Sequence, residues 1–107
     1  MNYTVRFAPE AVEQLAELYR YIAAAGSPET DAGYVDAVVS HCEGLAVFPH
    51  RGAMRDDIRP GLRTMNFRKR VVIALAVDDD PREVTILGVF YGGQDYQSML
   101  SGVGDGD

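Results

Sequence analysis

VVIALAVDDDPREVTILGVFY, Val71 to Tyr91, is the stretch that decides the fold. Val71 to Val77 is apolar throughout and Val84 to Tyr91 nearly so. Asp78-Asp79-Asp80-Pro81 between them has the composition of a turn, so the segment reads as a β-hairpin. A strand with no polar residue on either side is a strand buried on both faces. The question is what covers the second face.

Working outward toward the N-terminus, Ile58 to Phe67 reads as a third strand, with Pro60 and Gly61 marking an edge or a bulge. Tyr3, Val5 and Phe7 alternate with Thr4 and Arg6, the period of a half-buried strand. Pro9 then suits a first helical position, with Glu10 and Glu13 near the positive end of the helix dipole. Ala11, Leu15, Leu18 and Ile22 recur at helical spacing, and Gly26 ends the run. Ser27 and Pro28 open a second helix whose stripe is Val35, Val38, Cys42 and Leu45, and Pro49 stops it. The order strand, helix, helix, three strands predicts an α+β domain of β-α-α-β-β-β form, a helical hairpin packed on a mainly antiparallel sheet. One domain over 1–100 is expected, with 101–107 (SGVGDGD) a flexible tail or short helix. A helical hairpin covers only one face of a sheet, so a partner is the better explanation for the second apolar face.

Composition narrows the function. The 107 residues are 47 % hydrophobic and 24 % charged, and no apolar stretch approaches the ~20 residues of a membrane span. MNYTVRFAPE lacks a basic segment followed by an apolar one, and the single cysteine offers no disulfide, so a cytoplasmic chain is expected. The net charge of −6 argues against stable nucleic-acid binding, but it is unevenly spread. Residues 51–70 hold seven basic and two acidic residues, a local +5, and the remaining three basic and 14 acidic residues carry −11. Such a band suits the docking of an acidic partner.

The individual candidates for chemistry are weak. Ser40-His41-Cys42 lies within one helix, where adjacent residues point apart, and Cys42 falls on the apolar stripe as a small buried hydrophobe. His50 has no second metal ligand near it, the aspartates 78–80 lack the spacing of a calcium loop, and Gly92-Gly93 is no phosphate loop. No cofactor or metal is expected. Arg63 and the Arg68-Lys69-Arg70 turn, if near the exit YGGQDY with Tyr91, Gln94 and Tyr96, suit either an RNA phosphodiester or acidic side chains of a protein.

The opening strand into FAPEAVEQL, the segment LAVFPHRG, GLR at Gly61 to Arg63, the apolar hairpin and YGGQDY occur in an order that resembles the ParE branch of the RelE/ParE superfamily of bacterial toxins. The resemblance spans about residues 2 to 100 and implies a cognate ParD-like antitoxin that wraps the toxin in a hetero-oligomer. It would cover the apolar face, with Val72, Ile73, Leu75, Val77, Leu87 and Val89 as its contacts. ParE-like members are described as DNA gyrase inhibitors that are not enzymes, whereas RelE-like members cut messenger RNA on the ribosome. Many relatives carry His where this chain has Tyr91, and tyrosine, with a pKa of about 10, is a poorer base near neutral pH. Relatives also carry aromatics where Arg70 and Ala74 stand here. The resemblance therefore implies a gyrase inhibitor with Arg63 as first target contact and Arg59, Arg68, Lys69, Arg70, Tyr91, Gln94 and Tyr96 in support. For Arg63, pairing with a helix carboxylate is an equal expectation. The alternatives are a ribonuclease using Arg63, Lys69, Arg70 and Tyr91, and a degenerate toxin that keeps only antitoxin binding.

Overall fold

The computed structural model describes residues 2–25, 28–68 and 71–91. Gly26 and Ser27, expected as helix stop and cap, lie outside them, as do Lys69, Arg70 and everything from Gly92 on. The elements are β1 (Thr4–Phe7), α1 (Pro9–Ala25), α2 (Pro28–Glu43), β2 (Ala53–Met54), β3 (Leu62–Phe67), β4 (Val71–Asp78) and β5 (Glu83–Tyr91). One five-stranded sheet has the order β1-β5-β4-β3-β2, with β1 parallel to β5 and every other pairing antiparallel. This is the expected α+β architecture, with one short edge strand added.

Two differences from expectation have local causes. The second helix does not run to Pro49: it ends at Glu43 and tightens into a 3-10 turn, Gly44–Ala46. Gly44 is a poor helix residue, and the tighter turn still buries Leu45 while presenting the Ala46 carbonyl to the Tyr3 N–H at 2.8 Å. Ile58 to Gly61 is not strand. The Ile58 and Arg59 N–H groups both donate to the Arg55 carbonyl, and Asp56 Oδ1 accepts from the Gly61 N–H at 2.8 Å. The segment is a self-closed turn that leads into β3 with Gly61 at φ +79.

Helix α1 lies against β5, and α2 lies against α1. The expected stripe of α1 faces inward: Ala11 and Leu18 are fully buried, and Leu15 and Ile22 pack on the same core. Val38, Cys42 and Leu45 join them over Met65, Phe67, Val71, Ile73, Leu75, Val84, Ile86 and Val89. A second, smaller cluster of Leu62, Ala74 and Phe90 is bordered by Ile58, Val72 and Leu87.

A β-bulge explains why the apolar alternation of β5 breaks down after Ile86. Ala74 pairs with Gly88 and Leu75 with Ile86, which leaves Leu87 as an extra residue. Val84 and Ile86 face the helices before the bulge; after it the alternation shifts by one, and Val89 faces them instead. Beyond Phe7, β1 no longer accompanies β5. There the Gln14 side chain of α1 takes its place, accepting the Val89 N–H at 2.7 Å through Oε1.

Cys42 is fully buried, and burial, helped by the neighbouring Glu43 charge, pushes its thiol up to about 12. Only the thiolate attacks disulfide reagents. In the native chain, Cys42 will therefore resist a chromogenic disulfide at neutral pH, and it will label fully in denaturant; fast labelling of the native chain would refute the packing described.

Candidate functional site

The basic band does not form one surface. Arg55 is spent inside the turn it opens, with Nε and Nη2 donating to the two carboxylate oxygens of Asp57 at 3.1 and 3.0 Å. That bidentate bond holds the Asp57 carboxyl below its usual range. Arg59 is half-buried in the same turn. Arg63 and Arg68 stand five residues apart on β3 and its exit, roughly 16 Å along the strand.

At one end of the sheet, Arg68 adopts a left-handed conformation, φ 52, in the turn from β3 to β4. Its guanidinium lies 4.9 Å from the centre of the Phe67 ring and 5.8 Å from that of Tyr34. Phe67 pairs with Val71, and Val71 with Tyr91, so Tyr91 belongs to this end. Its ring packs on Tyr21 of α1 at 4.7 Å.

At the other end, the Arg63 Nη1 donates to the His50 carbonyl oxygen at 3.3 Å. This is neither of the settings anticipated for it. No helix carboxylate is bonded to it among the described residues, and it is not beside Tyr91. Four residues of register and two strand spacings separate Arg63 from Tyr91, roughly 16 Å. His50 Nε2 in turn lies 3.0 Å from Asp79 Oδ1, and the Tyr3 hydroxyl donates to that same oxygen at 2.6 Å. Tyr3 and His50 also meet edge to face, 6.0 Å between ring centres. Three distant segments are thus joined through one carboxylate.

The Tyr3 hydroxyl, then the His50 and Arg63 charges, hold the Asp79 carboxyl below its usual 3.8. The fold favours the ionised form, so the contribution is full above that value and lost as pH falls below it. For Tyr3 the same bond raises the phenol above its usual 10.0, so its share is full below that value and lost at higher pH. Acidified from about pH 5 to 2, the melting temperature of the natural chain will fall more steeply than that of Asp79→Asn. The difference will be small because both partners are exposed. Parallel curves would mean that the carboxylate is not tied down in solution.

The six expected antitoxin contacts do not share a face. Ile73, Leu75 and Val89 are fully enclosed between sheet and helices, and Val77 packs at the edge of that core. Val72 and Leu87 lie with the smaller cluster and remain partly exposed. Among the expected target contacts, Arg59, Arg63, Arg68 and Tyr91 are placed as above. Lys69, Arg70, Gln94 and Tyr96 lie outside the described residues. Tyr3, Asp79, Phe48 and Arg51 were not among the expected site residues. Only LAVFPHRG, with two large apolar residues placed just before a proline, carried a local signal for any of them.

The profile of the family described as "ParE toxin of type II toxin-antitoxin system, parDE" matches residues 5–96. No curated protein matches. Among solved structures, the chain is similar to one from the chromosomal ParDE system of P. aeruginosa, with a TM-score of 0.72 and 21 % identity over 83 % of this chain and 95 % of that one. It is similar to one from the RelBE2 toxin–antitoxin complex of Mycobacterium tuberculosis, TM-score 0.62 and 25 % identity over 86 % and 100 %. A mutant RelE toxin of E. coli in the free state shares the fold, TM-score 0.67 and 14 % identity over 96 % and 97 %.

Proposed function

Since the chain belongs to the ParE toxin family of type II toxin–antitoxin systems, we propose that it arrests growth by inhibiting DNA gyrase in the cytoplasm and that a ParD-like antitoxin neutralises it. It acts as a protein inhibitor and not as an enzyme. The observation that carries this reading over ribonuclease action is the separation of Arg63 from Tyr91. Charge stabilisation and proton transfer must meet at one phosphodiester. With their backbones roughly 16 Å apart, Arg63 and Tyr91 would meet at one only if both side chains reached toward each other, and Arg63 is turned instead to the His50 carbonyl. Tyr91 is moreover packed on Tyr21. Target contacts are drawn from Arg59, Arg63, Arg68 and Tyr91.

The antitoxin covers the sheet face that carries Val72 and Leu87. A segment that folds onto its partner can bury a large area there. A neighbour in the fold, the RelBE2 complex of Mycobacterium tuberculosis, is a toxin bound to its antitoxin, which supports the same kind of partner here.

The test is a purified-gyrase assay that follows supercoiling and cleaved DNA as the chain is added, with and without the antitoxin of the neighbouring gene. Cleaved DNA should accumulate and should disappear when antitoxin is present. No effect at excess protein, together with ribosome-dependent cleavage of messenger RNA that Tyr91→Phe abolishes, would establish the ribonuclease instead. Antitoxin binding with neither activity would mark a degenerate toxin.

A further inference from the structure

The segment from Val47 to Arg51 is fastened unusually well for a loop whose large side chains face water. The Tyr3 N–H holds Ala46 just before it, and Arg63 holds the His50 carbonyl. Asp79 holds the His50 ring, and Pro49 is buried beneath. Yet Val47 is 56 % exposed and Phe48 59 %. Met54, opposite Arg63 in the register, is 48 % exposed. The loop borders a cavity of about 350 Å³. Ordering a loop costs free energy, and a loop ordered in advance spares a partner that cost.

Charge selects the partner. The Arg51 guanidinium lies 5.3 Å from the centre of the Phe48 ring. No carboxylate among the described residues pairs with it. An arginine placed over an aromatic face and bonded to no carboxylate can still offer its N–H groups to a bidentate acceptor. Phenylalanine, methionine and arginine together are also the composition of an interface centre. A nucleic-acid strand brings a charge at every phosphate onto a chain of net −6. A protein segment with one or two carboxylates beside an apolar anchor does not.

We propose that the Val47–Arg51 loop is a preformed docking site for an apolar protein segment carrying acidic residues, its anchor against Phe48 and its carboxylate on Arg51. This rests on no part of the gyrase reading, and its test does not use gyrase.

The probe is a short fluorescein-labelled peptide with a Leu-Phe pair between aspartates, titrated into the full chain and followed by polarisation. Saturable binding is expected, at least about tenfold weaker for Phe48→Ala and for Arg51→Ala, with their thermal melts unchanged because both side chains are exposed. Four results would overturn the proposal. One is no binding up to about 1 mM peptide, the weakest affinity worth the name. A second is equal binding when lysines replace the aspartates. A third is tighter binding of an oligothymidylate, which would make this a nucleic-acid site. The last is self-association that Phe48→Ala abolishes, which would make the occupant a second copy of the chain.

Discussion

Ile73→Ala will cost about 2–5 kcal/mol of folding stability, and Val72→Ala, one residue away, less than about 1 kcal/mol. Ile73 is fully buried among the side chains between sheet and helices. Truncating it removes apolar contacts and leaves a cavity that a sheet pinned on both sides cannot close. Val72 points to the other face, where it is partly exposed. Small domains are stable by only about 5–15 kcal/mol, so the first change removes a large share of the total. Urea titrations with unchanged m-values would give both numbers. The same pair separates folding from partner binding: Val72→Asp should still fold, with a lower melt because Val72 packs beside Leu62, Ala74 and Phe90, and should weaken antitoxin binding, whereas Ile73→Asp should not fold. Equal costs for the two alanine variants would mean that the register of β4 against the helices is not the one described.

Gly52→Ala is the second large effect. Gly52 sits at φ +84, where a side chain costs about 1–2 kcal/mol before any contact is counted. Its Cβ would stand 2.5 Å from the Thr64 carbonyl oxygen, a backbone atom of the neighbouring strand that cannot rotate away. The β2–β3 pairing must open, and the total should be on the order of 3 kcal/mol. Gly61 has almost the same φ, +79, with open space around the missing Cβ. Gly61→Ala should therefore show the conformational part alone, about 1–2 kcal/mol. At this chain length the two predict melting temperatures lowered by well over 10 °C and by about 4–16 °C respectively. A Gly52→Ala variant no worse than Gly61→Ala would mean that the clash is relieved at no cost.

How much of this was legible depends on the range of each cause. Pro9 and the Ala11–Ile22 stripe are local signals, and α1 starts and faces as they indicate. The apolar hairpin was readable as a hairpin, but its faces were not. In VVIALAV every position is apolar, so the alternation that tells Val72 from Ile73 leaves no trace, and the one-residue shift at Leu87 is equally silent. The two-residue β2 is shorter than any period. Ile58–Gly61 looked like strand because Ile58 is apolar, but Asp56 and Gly61 close it as a turn. In the candidate site, the end of the sheet to which Arg63 belongs was within reach: with a turn at Arg68, Arg63 pairs with Leu75, well away from the residues next to the turn. The knot of Tyr3, His50 and Asp79 was not, because its members are 29 and 76 residues apart and no spacing records such a meeting.

The parallel pairing of β1 with β5 also governs when the protein comes into existence as it is made. Phe7 finds its neighbour only when Ile86 has been added, and α1 finds the strand it packs on at the same late moment. At about 5–20 residues per second, the finished helical hairpin waits roughly 2–10 s for β5. Through that interval the nascent chain is two helices and loose strands, and a chain released before Glu83 leaves β1 with nothing to pair with. For a protein of a toxin family, the delay means that the folded domain is withheld until translation is nearly done, so a partner that recognises the sheet meets it only then.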